Sequence, residues 1–582
     1  MPFSKTIPVK FVIILPVMML FFSCKKATTT VPPPPVTGGP TDTSSVTPVS
    51  DPAVENTMGF FLNDWKPKTF IAPPFTNATP PSTAAVTVTI DASSIITKIP
   101  LSEFGHNSVW WMGNPSNQAL SDIKNLHPHI IRFPGGNASN NYFWNEAQDV
   151  LPADVPATLI DNNGNIYTAG YNYGNTSHNW EFTLQNYYDM LAVTGNQGII
   201  SINYAYARYS TAANPVASAA HLAADWVRYD NGRTQYWEIG NEHYGDWQAG
   251  YRIDLTKNKD GQPEFITGAL YAQHAKVFID SMQKAATEIG KKIYIGVVMF
   301  ESAPQSWETT TMQTWNQGLL TQIADKEDFF VGHNYVTPYG QNSDAATVFS
   351  SALAAPADML NFMKQDMISK GAVVKPIAFD EWNMWAQNSK QQVSNSSGVF
   401  AVIVQGESIF NKFGMTARWD LLNGWSNGND HGLFSAGDEP GISKWNPRPS
   451  FYYMYYFEKY LGDRMVPSIV QGSSDIKAYS SSYSSGEAAV AMVNISATAQ
   501  SVEIKKKNIR FGSRYYWYSL QGGTDNGEFS GQVFVNGFGP TGNAGGPSDY
   551  FTISANTTTT ASGVKVTVPA RGAVFLVVEK GK

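Results

Sequence analysis

Short apolar runs, separated by stretches long enough for a helix, are the main pattern of residues 104–422. Several of the intervening stretches repeat apolar residues at helical spacing, as in residues 271–289 and 357–369. Eight runs that alternate with helices over roughly 320 residues predict an α/β fold, a (β/α)8 TIM barrel. An open doubly wound sheet is the rival, but no glycine-rich fingerprint follows the first run. The eight runs are residues 104–111, 130–134, 198–204, 236–242, 293–300, 329–336, 377–383 and 415–422.

The pattern changes after Tyr460, where helical spacing stops and short β-rich runs alternate with Ser, Gly, Thr and Asn. Spacing of this kind predicts an additional C-terminal antiparallel β-sandwich over residues 463–582. The alternating residues 86–90 predict one more strand, which could close this sandwich from the N-terminal side. We assign residues 86–462 to the catalytic barrel. A chain of 582 residues with 42% hydrophobic content is long enough for these two domains.

The N-terminus has the features of an export signal. Lys5 and Lys10 precede an apolar run at residues 11–22, which is short for a membrane span. Cys24, the only cysteine of the chain, follows directly and gives a sequence similar to a bacterial lipobox. We therefore predict a lipoprotein signal peptide at residues 1–23, a lipid on Cys24 and a disordered Pro/Thr-rich tether at 24–58. The expected location is an outer-membrane lipoprotein, facing the periplasm or the cell surface; simple secretion is the alternative.

Composition narrows the classes of ligand. Charged residues make up 15% of the chain and the net charge is -7, so no electrostatic footprint for nucleic acid is present. Aromatic residues reach 13%, with 16 Trp and 28 Tyr, which suits stacking on the apolar faces of sugars. No His/Cys cluster indicates zinc, and residues 258–261 predict a turn rather than a calcium loop. We expect a carbohydrate partner, no metal and no cofactor, while the oligomeric state stays open.

Two glutamates end predicted strands and carry the candidate chemistry. Glu242 closes the fourth apolar run and Glu381 lies near the end of the seventh. Catalytic groups of barrels lie at the C-terminal ends of the strands. One carboxyl can protonate a glycosidic oxygen while the other attacks the anomeric carbon, which is the chemistry of a retaining glycoside hydrolase. That mechanism predicts a separation of about 5 to 5.5 Å between the two carboxyl groups.

The two glutamates need different protonation states. Strand alternation places Glu238 on the same side as Glu242 but deeper, where it is expected to pair with Arg132. We expect the pKa of Glu242 to be raised by apolar surroundings and by a second carboxylate, so that it acts as the acid. Hydrogen bonds from Arg132 and Tyr335 are expected to keep Glu381 ionised as the nucleophile.

Four motifs together resemble clan A glycoside hydrolases. Gly240-Asn241-Glu242 and Asp380-Glu381-Trp382-Asn383, with residues 131–136 and 332–335, are most similar to the family 51 α-L-arabinofuranosidases. The resemblance implies that Glu242 is the acid/base and Glu381 the nucleophile. It also implies that Asn241 contacts a sugar hydroxyl and that Arg132, His333 and Tyr335 form a polar shell. The chain departs from the family near His106, where the expected substrate-binding glutamate is missing.

Three tryptophans at predicted strand ends, Trp111, Trp382 and Trp419, are candidates for sugar stacking. Two other functions fit the same sequence. An endo-acting β-glycanase of the same clan would have an open cleft with tryptophans on both sides of the glutamates. A non-catalytic glycan-binding lipoprotein would not need the paired carboxylates.

Overall fold

The structure, a computed structural model, describes residues 45–385, 391–426 and 430–582. Eight parallel strands follow one another around a closed barrel, and each lies within one of the eight predicted apolar runs or overlaps it. Barrel strands 1 to 8 are Gly105–Asn107, Ile130–Phe133, Gln197–Ile202, Tyr236–Ile239, Tyr294–Val298, Phe329–Asn334, Ile377–Trp382 and Met415–Arg418. Nearly all of their residues are buried, because side chains fill the interior and helices cover the outside. The predicted TIM barrel is confirmed.

The helices begin at side chains that satisfy free backbone N–H groups. Ser116, Thr183, Asn214, Thr267, Thr309 and Asp344 each accept a hydrogen bond from the first turn of the helix that follows. The helices are Asn117–Leu126, Leu184–Thr194, Tyr206–Tyr209, Pro215–Asp230, Gly268–Glu288, Thr310–Gln322, Ala345–Ser369, Asn395–Asn411 and Pro449–Tyr460. Within the described ranges, no helix combines the length and apolar character that crossing a bilayer requires.

Short paired strands occur in the loops of the barrel, and 3-10 helices occur in both the barrel and the C-terminal sheets. Tyr142–Ala147 pairs with Asn172–Asn175, Thr158–Ile160 with Ile166–Thr168, and Leu422–Asn423 with Phe434–Ser435. The 3-10 helices are Gly59–Leu62, Leu101–Glu103, Gly136–Asn141, Asp525–Gly527 and Thr560–Ser562.

A β-sandwich of two sheets packs against the barrel helices near the C-terminus. The nine-stranded sheet contains Phe75–Asn77, Ala555–Thr559, Phe511–Gly522, Gly572–Lys580, Ala488–Asn494, Ile476–Ser482, Arg464–Val466 and Thr97–Lys98 in that order, with Val533–Val535 paired to Phe511–Gly522. The four-stranded sheet is Ser468–Gln471, Val86–Asp91, Gln500–Lys507 and Val564–Val568. A core of small β-branched residues such as Val88, Val502 and Val566 fills the space between them.

The sandwich is built from both ends of the chain. Val86–Asp91 pairs in antiparallel fashion with Ser468–Gln471 and in parallel with Gln500–Lys507. The predicted C-terminal sandwich is therefore present, but its sheets are mixed rather than purely antiparallel. The strand at the start of the range assigned to the barrel, residues 86–462, belongs to the sandwich.

An N-terminal segment closes the amino-terminal end of the barrel. Phe61 is fully buried against Tyr236 and Phe329, and the ring of Phe60 stacks on Tyr294 with centroids 3.8 Å apart. The signal peptide, Cys24 and most of the predicted tether lie outside the described residues. The described part of the tether contacts the fold, since Asp51 pairs with Arg464 at 2.6 Å.

Candidate active site

Glu242 and Glu381 face each other at the C-terminal end of the barrel. Glu381 is the fifth residue of barrel strand 7, and Glu242 follows barrel strand 4. A carboxylate oxygen of each, together with a ring nitrogen of His333, lies within 4.8 Å of the others. Oxygens this close agree with the short spacing of about 5 to 5.5 Å between the carboxyl groups of retaining enzymes.

Glu242 sits in a strained turn that aims its carboxylate at the barrel mouth. Its φ is +49°, a left-handed conformation that glutamate rarely adopts and that is typical of functional sites. Oε1 lies 3.0 Å from Nδ1 of His333, while Oε2 accepts hydrogen bonds from Trp247 and Gln248, both at 3.2 Å. Trp247 and Gln248 were not foreseen, although their position in the loop directly after the Gly240-Asn241-Glu242 motif is a usable signal.

Glu381 is held by two donors. Oε2 accepts from Nη1 of Arg132 and Oε1 accepts from the hydroxyl of Tyr335, both at 2.8 Å. A register irregularity in barrel strand 7, between Phe379 and Trp382, allows both Asp380 and Glu381 to point into the barrel.

Arg132 is completely buried and uses all five of its N–H groups. Nε and Nη2 bind Glu238 in bidentate fashion at 2.8 and 3.1 Å. The others reach Asn107 at 3.0 Å, Asn241 at 2.8 Å and Glu381 at 2.8 Å. Arg132 therefore orients the nucleophile instead of touching solvent, and Asn107, which sequence reasoning missed, completes its environment.

Asn241 is oriented for an outside partner. Because Oδ1 accepts from Arg132, its amide nitrogen is left without a hydrogen-bond partner among the described residues. Asn140, also missed, binds the backbone N–H and C=O of Asn241 at 3.3 and 3.1 Å. The buried amide is thus placed to donate to a ligand such as a sugar hydroxyl.

His333 bridges the acidic groups. Nδ1 lies 3.0 Å from Glu242 and 3.7 Å from Glu381, and Nε2 lies 3.3 Å from Asp380. Burial alone would lower the pKa of His333, but the charge of Glu381, the close contact with Asp380 and the hydrogen bond with Glu242 raise it well above its usual value. The ring is therefore an imidazolium at neutral pH.

The imidazolium reverses the pKa order expected from the sequence. Burial would raise the pKa of Glu242, but the hydrogen bond from His333 and its charge outweigh burial and lower that pKa. Burial and the charge of Glu242 raise the pKa of Glu381 despite the charges of His333 and Arg132. Before substrate binds, Glu242 is thus ionised, and His333 carries a proton within hydrogen-bond distance of the Glu242 carboxylate.

The same residues could in principle hold a cation, because two overlapping groups bring donor atoms within 4.8 Å. One is Glu238, His333 and Asp380, and the other is Glu242, His333 and Glu381. Both share His333, and the Arg132 guanidinium already binds one carboxylate of each group, Glu238 and Glu381. The arrangement suits proton transfer better than metal binding.

The three predicted stacking tryptophans differ in their surroundings. Trp382 is fully buried on the outside of the barrel, between Phe379 and Phe400, so its prediction as a substrate contact is wrong. The irregularity that turns Glu381 inward leaves Trp382 facing the helices. Trp419 and half-buried Trp111 pack at the rim with ring centroids 6.1 Å apart, and their contact with sugar stays a prediction.

No family model matches the chain. An intracellular exo-α-(1→5)-L-arabinofuranosidase of Bifidobacterium longum is 23% identical over 283 residues, which are 46% of this chain and 44% of that protein. The chain thus aligns with less than half the length of this curated relative.

Among solved structures, the crystal structure of the Thermotoga maritima α-L-arabinofuranosidase has 17% identity and a TM-score of 0.57, with 85% of this chain and 100% of that chain covered. A bifunctional glucanase-xylanase from a metagenome library has 12% identity and a TM-score of 0.55, covering 85% and 99%. In sequence over about half its length and in fold over most of it, the chain is similar to the family 51 α-L-arabinofuranosidases, the resemblance that its strand-end motifs predicted.

Proposed function

We propose that this chain is a retaining glycoside hydrolase that releases α-L-arabinofuranosyl groups from an oligosaccharide or polysaccharide. The observation that carries the proposal is the pair of carboxylates, Glu242 and Glu381, within 4.8 Å of each other at the barrel mouth. The names of the curated relatives support the choice of sugar.

In the first step Glu381 attacks the anomeric carbon and the bond to the leaving oxygen breaks. Glu242 gives its proton to that oxygen, so the leaving group departs as a neutral alcohol. Substrate displaces water from Glu242 and favours its neutral form, and the proton it needs comes from His333, 3.0 Å away. Arg132 and Tyr335 hold the attacking oxygens of Glu381 in place.

In the second step water enters on the side vacated by the leaving group. Glu242, now ionised, takes a proton from that water while the oxygen of the water attacks the anomeric carbon. The ester bond to Glu381 breaks, and Glu381 leaves as a carboxylate. Two inversions at one carbon give net retention of configuration.

The absence of the expected glutamate near His106 affects which sugar is recognised, and it does not affect the hydrolysis step. The nearest acid in sequence, Glu103, precedes barrel strand 1 and is therefore at the opposite end of the barrel, fully buried. It cannot contact a sugar held by Glu381. Recognition of arabinofuranose must then depend on other donors, with the free amide nitrogen of Asn241 as the first candidate.

A screen of 4-nitrophenyl glycosides tests both parts of the proposal. We expect release of 4-nitrophenol from the α-L-arabinofuranoside, with the α-anomer of arabinose appearing first in the proton NMR spectrum. Activity on a different glycoside only would contradict the proposed specificity for arabinofuranose. The β-anomer as first product would contradict the retaining mechanism. No hydrolysis of any glycoside or plant polysaccharide would favour the non-catalytic glycan-binding alternative.

Endo-action is a second candidate that one observation favours. Trp247, Trp307 and Tyr339, which follow barrel strands 4, 5 and 6, are 52%, 80% and 81% exposed. Exposed aromatic rings along a rim can stack against several units of a polymer. Digestion of linear arabinan, xylan and β-glucan would distinguish the two modes, because an endo-enzyme releases a ladder of oligosaccharides and an exo-enzyme releases single sugars.

We also propose that the protein is exported and anchored by a lipid on Cys24. The support is the sequence alone, in which the apolar residues 11–22 precede the single cysteine. Wild-type protein expressed in its host should incorporate radiolabelled palmitate and sediment with outer membranes. Cys24→Ser should remove the label, and an unlabelled wild-type protein would contradict the anchor.

A further inference from the structure

A third carboxyl, Glu301, lies at the barrel mouth and has no role in the steps above. It follows barrel strand 5, which pairs with the strand that leads to Glu242. Its Cβ would lie 3.3 Å from a Cβ placed on Gly332, the residue before His333. The stem of Glu301 thus lies against barrel strand 6, beside the residue that precedes the bridging histidine.

One oxygen of the Glu301 carboxyl lacks a partner. Within the described part of the chain, its buried Oε2 makes no hydrogen bond. Burial raises the pKa of Glu301 to about 8, the charge of Glu242 adds to this effect, and the backbone N–H of Glu301 itself opposes it. At neutral pH the group is therefore mostly a neutral acid with an O–H to donate. A buried polar group left unpaired is costly, so a ligand atom is the expected partner.

The side of the mouth on which Glu301 lies determines which part of the substrate it meets. Glu381 must face the anomeric carbon of the glycosyl group, and Glu242 must face the oxygen of the leaving group. Residues next to Glu242, on the loops after barrel strands 4 and 5, therefore face the leaving group. Trp247 is one of them, because its indole N–H donates to Glu242 while half of its side chain is exposed.

We propose that Glu301 and Trp247 form the subsite for the leaving sugar, in which the carboxyl of Glu301 makes a hydrogen bond to a leaving-group hydroxyl and Trp247 stacks on the ring. This subsite makes the preferred leaving group a saccharide. The inference rests on the proposed glycosidase function and extends it to the second half of the substrate.

Two substrates that share the glycosyl group but differ in leaving group test the role of Glu301. We compare kcat/KM for α-1,5-linked arabinobiose and for 4-nitrophenyl α-L-arabinofuranoside, whose leaving group has no hydroxyl to accept the bond. Glu301→Leu should lower the value for arabinobiose at least about tenfold more than the value for the aryl glycoside. Glu301→Gln, which keeps an N–H donor, should restore most of that difference.

Glu327 offers a control, since one of its carboxylate oxygens is likewise buried without a partner but the residue precedes barrel strand 6, at the opposite end. Glu327→Gln should leave the ratio of the two kcat/KM values as in wild type. Equal losses on both substrates in Glu301→Leu, or no loss on either, would overturn the assignment of Glu301. If wild type cleaves neither substrate, the proposed function fails and the subsite fails with it.

Trp247 is tested through KM. Trp247→Ala should raise the KM for arabinobiose several-fold, whereas Trp247→Phe, which keeps a ring, should raise it less. Equal KM values for the alanine and phenylalanine variants would remove Trp247 from the subsite.

Discussion

The two ends of the barrel are made from the same strands but carry opposite chemistry. Barrel strand 4 begins with Tyr236 and leads to Glu242, and barrel strand 6 begins with Phe329 and leads to His333. At the amino-terminal end, aromatic and aliphatic side chains pack around Phe61. At the carboxyl-terminal end, buried charges replace them.

The difference separates stability from function. The aromatic end gains free energy from apolar burial. The charged end holds several carboxylates in a buried space with Arg132 and the His333 imidazolium, an arrangement that is seldom stabilising overall. It persists because glycosidic bond cleavage needs preorganised groups there. Substitutions at the two ends should therefore have opposite effects on activity and stability.

The largest effect is expected at the charged end, from Glu381→Gln. Loss of the nucleophile should lower kcat by more than about 10⁴-fold. The amide removes repulsion with Glu242, which raises the pKa of Glu381 in the wild type, so the free energy of unfolding should not fall. Steady-state kinetics and urea denaturation measure the two quantities. A variant that keeps a tenth of the wild-type kcat would show that Glu381 is not the nucleophile.

The aromatic end should respond in the opposite way to Phe61→Ala. Deletion of this fully buried ring leaves a cavity and should lower the free energy of unfolding by about 3 to 5 kcal/mol. The kcat/KM at 25 °C should change less than twofold, because Phe61 packs on the first residues of barrel strands 4 and 6, at the opposite end from the carboxylates. Ile71→Ala, at a residue that is 82% exposed, is the control and should change neither quantity. A large loss of activity with unchanged stability would contradict the separation of the two ends.

The sequence was sufficient for what depends on local pattern. Apolar runs predicted all eight barrel strands, and their ends indicated Glu242 and Glu381. It was not sufficient where strand geometry is irregular, as at Trp382, whose direction depends on the shift in barrel strand 7. The pKa order of the two glutamates also escaped prediction. It depends on His333, which a separate strand brings to within 3.0 Å of Glu242.

The contacts around the site were the least predictable part. Asn107, Asn140 and Gln248 come from three different loops or strands, and no spacing in the sequence connects them. Each is the hydrogen-bond partner of a buried polar group. The sequence therefore indicates that such a partner must exist, but it does not indicate which residue provides it.

The smallest expected effect is a change in pH dependence from Glu327→Gln. Burial raises the pKa of Glu327 to about 7 from an ordinary 4.5, and the opposing Lys375 charge does not cancel this. The folded state therefore holds a proton that the unfolded state releases between these pH values, so the stabilisation is complete below pH 4.5 and lost as pH rises through 7. Glutamine does not titrate, so the unfolding free energy of the variant should fall by about 3 kcal/mol less than that of wild type between pH 4.5 and 8. Urea denaturation of both proteins at several pH values measures this difference. At each pH, the kcat/KM of the variant should equal that of wild type. Parallel curves for the two proteins would mean that Glu327 is charged in the fold, and that the aromatic end of the barrel tolerates a buried charge as the other end does.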